Sequence, residues 1–267
     1  MGKYWHVIAI GIQNTLVYRA NFFFRAAFGL LPLMATIFLW RTIYRGKDGG
    51  EVAGYTLAAM TSYYVLVTIV DALTGVTDDD WQIAADIREG NISQFLLKPM
   101  DYLAYRLCLF VSNRLIYVAV ALAPVGLFVF FLRDYLVAPP GGMTLVCFLA
   151  SLLLTALLQF FISYTMALLA FWVLEVSTFI FIVFALEYVA GGHLFPLNIL
   201  PPVVAEVLFY TPFPYQLYFP VSVYLGQTAG AAMWQGLGIQ AAWVLVFYLL
   251  ARWVWSRGIR KYAAFGG

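Results

Sequence analysis

Residues 78–106 read DDDWQIAADIREGNISQFLLKPMDYLAYR, the longest polar interval in a chain that is otherwise almost continuously apolar. The stretch is not rich in Gly, Ser or Pro, and it carries the punctuation of two short helices. Asp78, Asp79 and Asp80 offer N-cap and first-turn anions, and Gly90 is a natural stop. Asn91 can cap a second piece in which Ile92, Phe95 and Leu96 share a face. Pro99 ends that piece, and Asp101 can cap the helix that follows. Such a helical pair fits either a surface that touches another protein or a loop lying flat on a membrane.

The rest of the chain fixes its solvent. Its 267 residues are 64% hydrophobic and 10% charged, and the mean hydropathy is +0.87. Soluble domains are about 25% charged and about 45–50% apolar. Water cannot be the solvent for most of this surface, so the chain is read as an integral membrane protein. The net charge of +2 and the lack of a basic, aromatic-studded face give no support for a nucleic-acid partner. Cys108 and Cys147 both fall in apolar runs and read as small buried hydrophobes. Lys3 is not followed by a short apolar core with a small-residue cleavage site, so a cleavable leader is not expected.

Residues 3–19 place Trp5, Ile8, Ile12 and Leu16 at helical spacing, which predicts an interfacial helix. A crossing needs about 20 apolar residues. Six runs are read as spans: 22–44, 52–76, 107–132, 144–174, the short 176–189, and 236–255, with Glu175 marking a tight turn. With the N-terminus inside, only Arg41, Arg45, Lys47 and Arg133 of the basic residues fall outside. That bias places both termini and residues 78–106 in the cytoplasm. The interval 191–235, with its return opening at Gly192, is apolar and aromatic, yet Pro196, Pro201, Pro202, Pro212, Pro214 and Pro220 forbid one continuous helix. Short helices dipping into the outer half of the membrane fit both facts, with Tyr210, Tyr215, Tyr218 and Tyr224 at headgroup level. A plain external loop is the alternative.

Charges inside spans are costly. A lone Asp or Arg at a helix centre costs about 2.5–3.5 kcal/mol on insertion scales. Asp71 and Arg114 lie at similar depth in neighbouring spans, so an ion pair between them is expected, the alternative being separate reach to the interface. Glu187 either faces a substrate path or extends to the headgroups, the second being expected. His193 and Glu206 read as loop surface. The chain has no phosphate-binding glycine loop, zinc-binding histidine pair, nucleophile elbow or Cys-x-x-Cys. No cofactor or metal site is expected, and an intramembrane enzyme lacks its catalytic cluster.

Three features together resemble a family: the N-terminal amphipathic helix, the segment IREGNISQFLLKP at 87–99, and the proline-punctuated return after span five. The chain is similar to the permease subunits of type-2 ATP-binding-cassette exporters, in particular their bacterial six-span branch. The resemblance implies an all-α membrane fold with a cytoplasmic coupling helix between spans two and three and broken re-entrant helices before span six. It implies two permeases, alike or different, over two separate ATPase subunits that carry ATP and Mg. The coupling element would be Asn91, Ile92, Gln94, Phe95, Leu96 and Leu97, a helix-in-groove contact with Ile92, Phe95 and Leu96 as anchors. The cargo would be amphipathic or hydrophobic: drug-like, lipid or glycan. A membrane anchor or assembly protein without transport is the reading from another class.

Overall fold

The computed structural model describes residues 2–46, 50–76 and 79–262. Helix α1 (Gly2–Val17) runs into α2 (Arg19–Arg45) with only Tyr18 between them. There follow α3 (Leu57–Thr74), α4 (Asp79–Arg88), α5 (Ile92–Leu96), α6 (Tyr102–Leu132), α7 (Gly142–Ala167), α8 (Ser177–Ala190), α9 (Pro202–Phe209), α10 (Tyr218–Tyr224) and α11 (Gly230–Lys261). Helices α2, α3, α6, α7 and α11 are long and apolar enough to cross a membrane, and α8 is a shorter apolar helix. The chain is a multi-pass, all-α bundle. Of the six expected spans, the described residues give five long helices and the 14-residue α8.

Several boundaries differ from the sequence reading for local reasons. The second apolar run begins with a tight turn, in which Val52 and Tyr55 exchange backbone hydrogen bonds, so α3 starts only at Leu57. Thr56 caps it, accepting from the Ala59 N–H at 3.2 Å. The third run gains a turn in the other direction. Asp101 accepts from the Ala104 N–H at 2.9 Å, so α6 begins at Tyr102 inside the polar segment. Helix α11 runs 32 residues, well past both ends of the expected 236–255.

The contact between α1 and α6 does not use the whole apolar stripe. Trp5 and Leu16 are exposed, whereas Gly11 and Thr15 are buried. A side chain at Gly11 would meet Ser112 Oγ at 2.8 Å, so glycine permits the close approach. Ser112 Oγ donates to the Ile8 carbonyl at 3.1 Å, and Thr15 Oγ1 to Asn113 Oδ1 at 2.7 Å. Small and hydroxylated residues form helix seams where lipid already solvates apolar side chains, because apolar burial then offers no gain.

Helix α3 runs through the centre of the bundle, with Met60, Tyr63 and Val70 fully buried. Tyr63 Oη donates to the Gly192 carbonyl at 2.6 Å and Tyr64 Oη to the Leu194 carbonyl at 2.7 Å. The turn after α8 therefore lies beside the middle of α3, not beyond its end. Helix α8 is too short to go further: 14 residues rise about 21 Å, against a hydrocarbon core about 30 Å thick. Gly192 makes the reversal with φ +96°, a conformation that a side chain opposes.

Beyond that turn the prolines open helical pieces: Pro196 before Leu197–Ile199, Pro201 before α9, and Pro212 before Phe213–Tyr215. Of the four tyrosines expected at headgroup level, Tyr210 is exposed, but Tyr215 and Tyr218 are buried in the main core. Irregular backbone at such depth needs internal partners. Gln240 of α11 supplies one, donating to the Tyr215 carbonyl at 2.8 Å and to Thr155 Oγ1 at 2.9 Å, while accepting from Ser151 Oγ at 2.9 Å.

Candidate functional site

Two places stand out: the polar platform made by α4 and α5, and a cavity in the bundle. In the platform, Asp78 lies outside the described residues, and α4 begins at Asp79. The chain turns at Gly90 as expected. Asn91 precedes α5 but does not cap it; its Nδ2 donates to Glu89 Oε2 at 3.1 Å.

The expected shared face of α5 divides. Ile92 is fully buried, together with Ile83 and Ile87 of α4, in a cluster with Tyr102, Phe110, Phe160 and Tyr164. The Phe95 ring packs on Tyr102 and Tyr105, with Lys98 Nζ 4.5 Å above it. Gln94, Leu96 and Leu97 point away, with Leu96 51% and Leu97 88% exposed. Ile92 and Phe95 thus hold the platform in place and leave the two leucines as its free apolar surface.

The platform is tied to most of the bundle. Lys3 Nζ of α1 donates to the Pro99 carbonyl. Arg106 of α6 pairs with Asp86, whose Oδ2 also accepts from Tyr102 Oη at 2.8 Å. Arg88 Nη1 reaches the Leu174 carbonyl, between α7 and α8, at 3.2 Å. Arg252 of α11 pairs with Asp101. Just past α11, Tyr262 Oη donates to the Gly90 carbonyl at 2.8 Å and lies 2.9 Å from Ser93 Oγ. Burial alone would raise the Asp101 carboxyl, but hydrogen bonds from Arg252 and the Ala104 N–H outweigh it and hold the group below the usual carboxylate range.

The cavity, about 500 Å³, is lined by α2, α3, α6, α7, α8 and His193. Both members of the expected Asp71–Arg114 pair line it, but they do not make that pair. Asp71 Oδ1 meets His193 Nε2 at 3.1 Å. Arg114 Nη1 donates to the Ala72 carbonyl at 3.2 Å, and its guanidinium lies 5.1 Å from the Tyr117 ring centre. His193, expected on a loop surface, is mostly buried and stacks on Tyr188 at 5.0 Å. Glu187, expected to reach the headgroups, lines the cavity. Depth explains both corrections, because α8 stops short and its end comes to rest at the level of the α3 carboxylate. Among the described residues, no group of three or more His, Cys, Asp or Glu is placed to hold a metal ion.

Fold and site define a multi-pass helical membrane protein with a polar platform at one end and a charge-lined cavity within. A family model described as ABC-2 family transporter protein matches residues 30–266, and the chain belongs to that family. Membership makes it a transport permease, not an enzyme in its own right. No curated protein and no solved structure matches the chain.

Proposed function

We propose that the chain is the permease subunit of an exporter in the bacterial inner membrane, driven by a separate ATPase that binds residues 91–97. Both termini and the platform then face the cytoplasm. Helix α8 serves as a short fifth span, and residues 191–235 form a re-entrant return before α11. ATP and Mg belong to the ATPase, present in two copies. A second permease chain, the same or different, and lipid cover the exposed apolar faces of the bundle.

The observation that carries the reading is the division of α5. Its Ile92 is fully buried, while Leu96 and Leu97 are 51% and 88% exposed beside each other at the polar end of the molecule. Aliphatic side chains presented on a fixed helical knob suit a groove in a partner. The ties to α1, α6 and α11 let a push on that knob tilt those helices together. The cavity then forms half of the route for an amphipathic cargo.

Leu96→Asp and Leu97→Asp test the contact, since each would bury an unpaired charge in the interface. We expect both variants to insert normally and to lose the co-purifying ATPase. Retention of a normally stimulated ATPase by both overturns the assignment.

A further inference from the structure

Helix α11 carries no acid, and its last turn is basic. Leu245, Leu249 and Trp253 recur at helical spacing and are all exposed, so they form one open apolar stripe. Arg257 continues it, with its guanidinium 5.7 Å from the Trp253 ring centre. Arg252, beside the stripe, is exposed and pairs with Asp101. Arg252 and Trp253 stand in the last turn of the span expected at 236–255. That is the depth at which tryptophan and long basic side chains meet lipid headgroups.

Helix α1 brings a second set of groups to the same corner, and it too carries no acid. Its Lys3 donates to the Pro99 carbonyl, and Tyr4 Oη accepts from the Asp101 N–H at 3.4 Å. Pro99 and Asp101 flank Met100, so Lys3 and Arg252 grip the same short turn. Trp255 stacks on Tyr102 at 5.0 Å and fixes α11 against that turn. Trp5, two positions after Lys3, is exposed. Asp101 answers Arg252, whereas Lys3 and Arg257 form no ion pair among the described residues. The corner therefore has positive charge in excess at the end of an open apolar surface. A soluble anion would engage the bases and leave the tryptophans and leucines uncovered; a phospholipid covers both.

We propose that this corner binds an anionic phospholipid. Its phosphate lies among Lys3, Arg252 and Arg257, and an acyl chain runs along Trp253, Leu249 and Leu245. Basic groups clustered at the end of a span attract anionic headgroups. The site does not depend on an ATPase docking at α5, so it goes beyond the permease reading.

The test titrates the full chain in maltoside micelles with dioleoylphosphatidylglycerol, dioleoylphosphatidylcholine or glycerol phosphate, and native mass spectrometry reads the bound fraction. The first dioleoylphosphatidylglycerol should bind about tenfold more tightly than dioleoylphosphatidylcholine. Lys3→Gln and Arg257→Gln should each weaken it about fivefold, as expected for one base near an anionic headgroup. Arg133→Gln, at the far end of α6, should leave it unchanged. Equal affinity for the two phospholipids overturns the proposal and leaves the patch to an acidic protein surface. Glycerol phosphate binding as tightly as the lipid also overturns it, in favour of a soluble phosphate. So does affinity unchanged in both Lys3→Gln and Arg257→Gln, or an equal loss in Arg133→Gln. Should the two variants aggregate, Ser256→Lys adds a base one turn after Arg252 and should tighten binding; no tightening overturns the proposal independently. Leu97→Asp should bind the lipid like the parent chain, so failure of this site and failure of the ATPase contact are told apart.

Discussion

Tyr262 Oη donates to the carbonyl of Gly90 at 2.8 Å, across 172 positions of sequence. The end of the last long helix thereby holds the turn between the two short helices of the platform. The same hydroxyl lies 2.9 Å from Ser93 Oγ. A displacement of α5 is therefore felt directly at the end of α11. Removing the hydroxyl with Tyr262→Phe should cost about 1 kcal/mol of local stability. Hydrogen exchange at residues 90–96 should become faster while α7 is unaffected; unchanged exchange would show that the clasp is idle.

The two sides of α5 should respond in different ways to substitution. Ile92→Ala empties a fully buried site and should cost about 2–5 kcal/mol. Leu97→Ala, at an 88% exposed position, should leave the melting temperature of the isolated chain unchanged and lower ATPase affinity by about 2 kcal/mol. Equal thermal destabilisation by both would contradict the division of this helix.

Much of the platform is legible in the sequence, because its signals are local. The Gly90 stop and the Asp101 cap each depend on neighbours within a few residues. The failures share a different cause. Ile92, Phe95 and Leu96 have the spacing of one face, but α5 is barely longer than one turn, and Phe95 turns inward to Tyr102 and Tyr105. Glu187 sits on a helix apolar on every side, so periodicity could not tell lipid from cavity. Counting along straight spans gives Asp71 the partner nearest in depth, Arg114. The shortness of α8 brings His193 there in its stead, 122 positions away. Pro196, Pro201 and Pro212 mark where the helical pieces of 191–235 begin, but nothing local shows that Gln240 satisfies their backbone and lets Tyr215 be buried.

Asp71 and His193 should be coupled more strongly than Asp71 and Arg114. A double-mutant cycle with Asp71→Asn and His193→Gln is expected to give about 1 kcal/mol of interaction energy. The cycle with Asp71→Asn and Arg114→Gln should give less. The reverse order would restore the ion pair expected from sequence.

Acid should loosen the platform through Asp101. Its folded pKa is held below the unfolded one, so its contribution is complete above the unfolded value and is lost as pH falls through the folded value. Asp101→Ala removes both the cap and the pair with Arg252 and should cost about 1–2 kcal/mol at neutral pH. The difference in melting temperature from the parent chain should be flat above about pH 5 and shrink below about pH 4. A difference that widens on acidification would contradict the sign.

Gln240 is fully buried and bonds Ser151, Thr155 and the Tyr215 carbonyl. Gln240→Leu should cost about 1–3 kcal/mol, because it strips partners from groups that stay buried. Limited proteolysis within residues 211–224 should rise accordingly, and an unchanged cleavage pattern would argue against the network.

The most direct measurement is photo-crosslinking in cells, with benzoylphenylalanine placed at position 97 and, separately, at the exposed apolar position 153 of α7. An adduct between position 97 and an ATP-binding subunit, with none from position 153, is the result expected of an engine docked on the exposed leucines. No such adduct from 97, or equal adducts from both positions, would contradict it.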